Sequence, residues 1–104
     1  MPSINYKVEI TGVSPLWKPT VYLEEEEIKM ERKKSGKQWI NEKVLVPVSG
    51  KLHVFMRIRG DQGIKFDVLV KNLDRDVARI EESERTIGDT GGINNSIINK
   101  DVTA

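Results

Sequence analysis

The chain has no cysteine, and this excludes disulfide frameworks, thiolate metal sites and cysteine nucleophiles. It has one histidine, His53, so a multi-histidine metal site is excluded and any Ser–His relay would depend on that single imidazole. Charge of one sign is lacking too: 17 bases against 16 acids leave a net charge of +1, which argues against nucleic acid as a partner. Long apolar runs are missing. The longest are three residues, Val44 to Val46, Val54 to Met56 and Val68 to Val70, and none can span a bilayer as a helix. The N-terminal residues show no basic segment followed by an apolar one, so a cytoplasmic location is expected.

The 104 residues suffice for one domain with one modest core. Size scaling gives roughly 5,900 Å² of accessible surface when folded, with about 65% of the unfolded surface buried.

The dominant pattern is alternation with period 2. Ile4, Tyr6, Val8 and Ile10 alternate with polar residues up to Gly12, as in a strand with one buried face. Val13 to Pro19, with two prolines around Trp17, reads as a rigid loop. Over 20–34 the acids precede the bases as in a helix, but Ile28 and Met30 share a face only in a strand. A long, partly exposed strand is the expectation there. Ser35-Gly36-Lys37 and Ser49-Gly50-Lys51 are turns, with Ile40, Val44, Val46 and Val48 as the inward set between them.

Leu52, Val54, Met56 and Ile58, then Ile64, Phe66, Val68 and Val70, predict a hairpin closed by Asp61-Gln62-Gly63 with Gly63 left-handed. In that register Ile58 faces Phe66 and Met56 faces Val68, while Arg57 meets Asp67 and Phe55 meets Leu69 on the other side. Beyond Leu73 the apolar spacing fits a short helix near 75–85. A loop over 88–92 and a last short strand over 93–98 follow, with 99–104 frayed. The expected fold is therefore mainly β: a single antiparallel β-sandwich domain over 1–98, of immunoglobulin-like size, with six to seven strands.

Several short motifs invite functional readings. Arg59-Gly60-Asp61 at a hairpin tip is the tripeptide of adhesion modules, although glycine and aspartate are also what a turn requires. Asp89-Thr90-Gly91 is similar to the aspartic-protease triplet, but the resemblance covers three residues only. Gly88 precedes it where that family has an apolar strand, and 13 residues follow Gly91. Asn72, Asp74 and Asp76 repeat the first ligand positions of a calcium loop. Val77 and Ser83 stand where an EF-hand needs glycine and glutamate. Gly36-Lys37 and Gly50-Lys51 lack the rest of a phosphate loop. The cations Lys29, Arg32, Lys33, Lys34 and Lys37 gather near Trp39, but Glu24 to Glu27 offset their field. His53 has no motif around it, and no catalytic constellation is visible.

Two binding arrangements remain. Phe55 and Leu69, rimmed by Arg57, Asp67, Arg59 and Lys65, have the apolar centre and charged border of a protein interface. Trp17 or Trp39 with Asn94 and Asn95 would suit stacking and hydrogen bonding to a carbohydrate or small ligand. The expected function is non-enzymatic: a protein-interaction or assembly module that self-associates or joins a larger complex. The alternatives are a ligand-binding sandwich and an adhesion module. No cofactor, no metal and no membrane partner is expected.

Overall fold

The alternating residues form nine strands in a computed structural model that describes residues 2–104. They are β1 (Ser3–Gly12), β2 (Thr20–Leu23), β3 (Glu26–Glu27), β4 (Glu31–Lys33), β5 (Gln38–Pro47), β6 (Lys51–Arg59), β7 (Lys65–Asn72), β8 (Val77–Thr86) and β9 (Asn95–Thr103), with a 3-10 turn over Lys34–Gly36. One antiparallel sheet has the order β4-β5-β1-β7-β8 and the other β3-β2-β6-β9. Their inner faces enclose one core. Tyr6, Val8, Ile10, Phe66, Val68 and Val70 come from the first sheet, and Val21, Leu23, Leu52, Val54, Met56 and Ile58 from the second. The accessible surface, 5835 Å², is what the size scaling requires of a single packed domain.

The expected sandwich is present, with more strands than the alternation predicted and no helix at 75–85. That segment is β8, and two bulges hide it. Val70 opposes Ile80 while Lys71 opposes Ala78, and Phe66 opposes Arg85 while Val68 opposes Glu82. Each extra residue shifts the phase, so Val77 and Ile80 both follow the inner face at a spacing of three.

The predicted hairpin is also replaced. β6 pairs with β2 and β9, β7 pairs with β1 and β8, and the two strands belong to different sheets. Gly63 is left-handed as expected (φ 91°), and Ile64 N donates to Asp61 O at 3.3 Å. The turn between them crosses from one layer to the other. Apolar alternation is the same whether two strands lie side by side or face each other across a core, so the register argument could not separate the two.

Over 20–34 the long strand gives way to a hairpin and an edge. Glu24 and Glu25 both have positive φ (50° and 68°), the geometry of a two-residue type I′ turn between β2 and β3. Ile28 and Met30 then close that side of the core as the chain passes to β4. In β5 the register slips opposite Lys7, between the pairs Tyr6–Val44 and Val8–Asn41. The bulge turns Trp39 inward in place of Ile40, which lies on the outer face. Finally, 99–103 do not fray: β9 stays paired with β6 as far as Thr103, opposite Lys51.

Candidate interaction surface

The strand directions bring four connections to one end of the sandwich: 13–19, 34–37, 60–64 and 87–94. The first is held at several points. Leu16 is buried and its N–H donates to Gly36 O at 2.8 Å, while Trp17 N donates to Arg59 O at 2.9 Å. The Trp39 indole Nε1 donates to Leu16 O at 3.2 Å, and Arg59 Nη2 donates to Lys18 O at 3.3 Å. Two glycines make room for Leu16: a Cβ on Gly12 would come within 3.0 Å of its side chain, and one on Gly60 within 3.1 Å. With Pro15 and Pro19 restricting φ, the loop is rigid without being covered.

On this frame stand exposed apolar side chains. Four large ones are exposed among the described residues: Val13, Trp17, Leu45 and Ile93. Three of them lie on the loops of this end, Trp17 with half its surface in water (50%). The loops are tied to one another: Gly60 N donates to Asn94 O at 3.3 Å, and Asn94 N to Gln62 Oε1 at 3.0 Å. Arg59, which holds Trp17, is the cross-strand partner of Asn95.

The expected sites are distributed as follows. The Phe55/Leu69 face does not exist as one surface. Phe55, Arg57 and Arg59 lie on the outer face of the four-stranded sheet; Leu69, Asp67 and Lys65 lie on the outer face of the other, on the far side of the core. Phe55 instead meets Tyr22, ring centroids 6.2 Å apart. Trp39 is not a stacking platform. It is 8% exposed and part of the core, supporting the loop that displays Trp17. Trp17, Asn94 and Asn95 do come to the same end, although the Asn95 amide is spent on Ile93 O at 3.2 Å.

Arg59-Gly60-Asp61 is not at a hairpin tip. Gly60 is buried, and the Arg59 guanidinium is turned onto Lys18 O. The calcium candidates serve the β7–β8 turn: the buried Asn72 binds Arg75 N and Ala104 O, Asp74 accepts two bonds from Asn5, and Asp76 pairs with Lys71. Among the described residues no three His, Cys, Asp or Glu side chains group as metal ligands. His53 Nδ1 lies 2.7 Å from Asp101 Oδ1 on an exposed face.

Asp89 belongs to a polar network that closes the β8–β9 side of the sandwich, where the bulges of β8 leave Glu82 and Arg85 at the margin of the core. Arg85 reaches Asp89 at 2.9 Å and Glu82 at 3.0 Å, and Lys100 reaches Glu82 at 2.8 Å. The Ser96 hydroxyl donates to Asp89. Partial burial works to raise the Asp89 pKa, but the hydrogen bonds from Arg85 and Ser96 outweigh it and hold the carboxyl below the usual aspartate range. The carboxylate is thus engaged within this network by Arg85 and Ser96. No helix of the described residues is long and apolar enough to cross a membrane. No protein-family model, no curated protein and no solved structure matches this chain.

Proposed function

We propose that this chain is a non-enzymatic protein-interaction module whose docking surface is the loop end of the sandwich, with Trp17 as anchor and Val13 and Ile93 on the loops of the same end. The observation that supports this reading is the placement, among the described residues, of three of the four exposed large apolar side chains on one set of mutually bonded loops. A rigid, exposed tryptophan presents large contact area at little ordering cost, which is how interface hot spots are built. Polar neighbours such as Asp61 and Asn94 supply the rim.

The test compares proteins retained from the native source by the wild-type chain, by Trp17→Ser, by Ile93→Asp and by Leu45→Ser. Leu45 is an exposed apolar residue away from the loop end. A partner bound by the wild type and Leu45→Ser, and lost with the two loop variants, is the expected result. Retention indifferent to Trp17→Ser would refute it. A second reading, carbohydrate binding, draws on the convergence of Trp17 with Asn94 and Asn95. Its discriminator is the Trp17 emission, which sugars would shift if they stacked there.

A further inference from the structure

Four strands end the two sheets, and three of them carry devices that discourage edge pairing. β3 has two residues and β4 three, all of them charged. β8 is long, but two bulges break it and five of its ten residues are charged. β9 differs: nine residues pair with β6 in an unbroken register from Asn95 to Thr103.

The free side of β9 is satisfied over only half its length. Gly88 N donates to Asn95 O at 2.8 Å, and Asn95 N to Gly92 O at 3.3 Å. Thr90 Oγ1 accepts from Ile97 N and donates to Ile97 O, both at 3.0 Å. These bonds establish that Asn95 and Ile97 direct their backbone groups away from β6. By the alternation of an antiparallel ladder, Asn99, Asp101 and Thr103 do the same. Among the described residues nothing bonds those groups, and Asn99, Lys100 and Asp101 are consecutively exposed.

We infer that this open half of β9 pairs antiparallel with the same segment of a second copy, joining two four-stranded sheets across a two-fold axis. Charge selects the register. An axis through Asp101 would set two carboxylates opposite each other, which is destabilising. An axis through Asn99 would place Asp101 against Ile97, whose edge groups Thr90 already occupies. An axis through Lys100 sets the Asn99 amide against the Asp101 carboxylate twice, on the outer face, with about four backbone hydrogen bonds between. The two Lys100 side chains then face each other across the axis, but each is drawn onto its own Glu82 at 2.8 Å. The contact is isologous and closes as a dimer. It is separate from the loop end and stands whether or not Trp17 anchors a partner.

Sedimentation equilibrium of the intact chain over a range of concentrations, with amide hydrogen exchange, tests it. The wild type is expected to dimerise, with the Asn99 and Asp101 amides gaining protection as concentration rises. Asn99→Pro removes an N–H that the monomer does not use and should abolish the dimer. Asn99→Asp, nearly isosteric and on an exposed site, opposes carboxylates twice and should weaken the dimer about tenfold; it decides the matter should the proline variant fail to fold. Trp17→Ser should leave the dimer intact. A monomer up to millimolar concentration overturns the inference, as does a dimer indifferent to Asn99→Asp or one that Trp17→Ser dissolves.

Discussion

Trp39→Phe tests whether the core and the loop end are mechanically one unit. The substitution leaves the backbone pairing of β5 untouched but removes the indole Nε1, the donor to Leu16 O, from a site only 8% exposed. Three effects add. The smaller ring leaves about 40 Å³ unfilled, worth about 1 kcal/mol at 24 cal/mol per Å³. Lost burial of the pyrrole portion contributes about another 1 kcal/mol. The Leu16 carbonyl, left buried without its donor, costs about 1 kcal/mol more. The sum, about 3 kcal/mol, is a large share of the 5–15 kcal/mol that holds a typical domain folded. With a urea slope of about 1–1.5 kcal/mol per M, the unfolding midpoint should fall by about 2–3 M. Since Trp17 becomes the sole tryptophan, its emission reports the loop directly. The Leu16 and Trp17 amides, bonded to Gly36 O and Arg59 O, should exchange faster in the variant. A midpoint shift below about 0.5 M with unchanged exchange would show that the Trp39–Leu16 bond does not hold the loop, and the preorganisation argued for Trp17 would fall.

Double-mutant cycles check the topology. Phe55→Ala with Tyr22→Ala should show a coupling of about 0.5–1.5 kcal/mol, because the rings touch. Phe55→Ala with Leu69→Ala should be additive within about 0.5 kcal/mol, because the core separates them; the opposite outcome would restore the β6–β7 hairpin. Tyr6 is fully buried, its hydroxyl has no partner among the described residues, and burial pushes its phenol pKa up. Tyr6→Phe should therefore raise the urea midpoint, by up to about 1 kcal/mol in stability, and a loss of that size would reveal a partner for the hydroxyl. Asp89 and Glu82 are both held below the ordinary carboxylate range, against partial burial, by Arg85 with Ser96 and by Lys100 with Arg85 respectively. Groups lowered in the fold stabilise it above their unfolded pKa of about 4, and that stability is lost as pH falls through the lower folded values. The urea midpoint should drop on acidification below about pH 5, and Asp89→Asn should flatten the drop; an identical slope in the variant would remove Asp89 from the network's energetics.

Much of the fold was legible because period-2 alternation is a local property. β1, the inward residues of β6 and β7, the rigid loop around Trp17 and the left-handed Gly63 all follow from neighbours in the chain. What local pattern lacks is information on phase and on partner. The bulges in β5 and β8 add a residue whose only signature is a change of spacing, so Ile40 looked inward and 75–85 looked helical. The Glu24–Glu25 turn adopts positive φ without the glycine or asparagine that would have announced it.

For the candidate surface the division is similar. Composition settles early that there is no thiol chemistry, no multi-histidine site and no strong field of one sign. The two tryptophans are indistinguishable as letters. Burial alone makes Trp39 a support and Trp17 a surface, since one follows a strand that turns inward past a bulge and the other a proline-bounded loop that cannot. The pairing of Phe55 with Tyr22 and the separation of Leu69 from both depend on which strands share a sheet. That choice rests on long-range packing of two equivalent apolar faces, and neighbouring residues carry no trace of it.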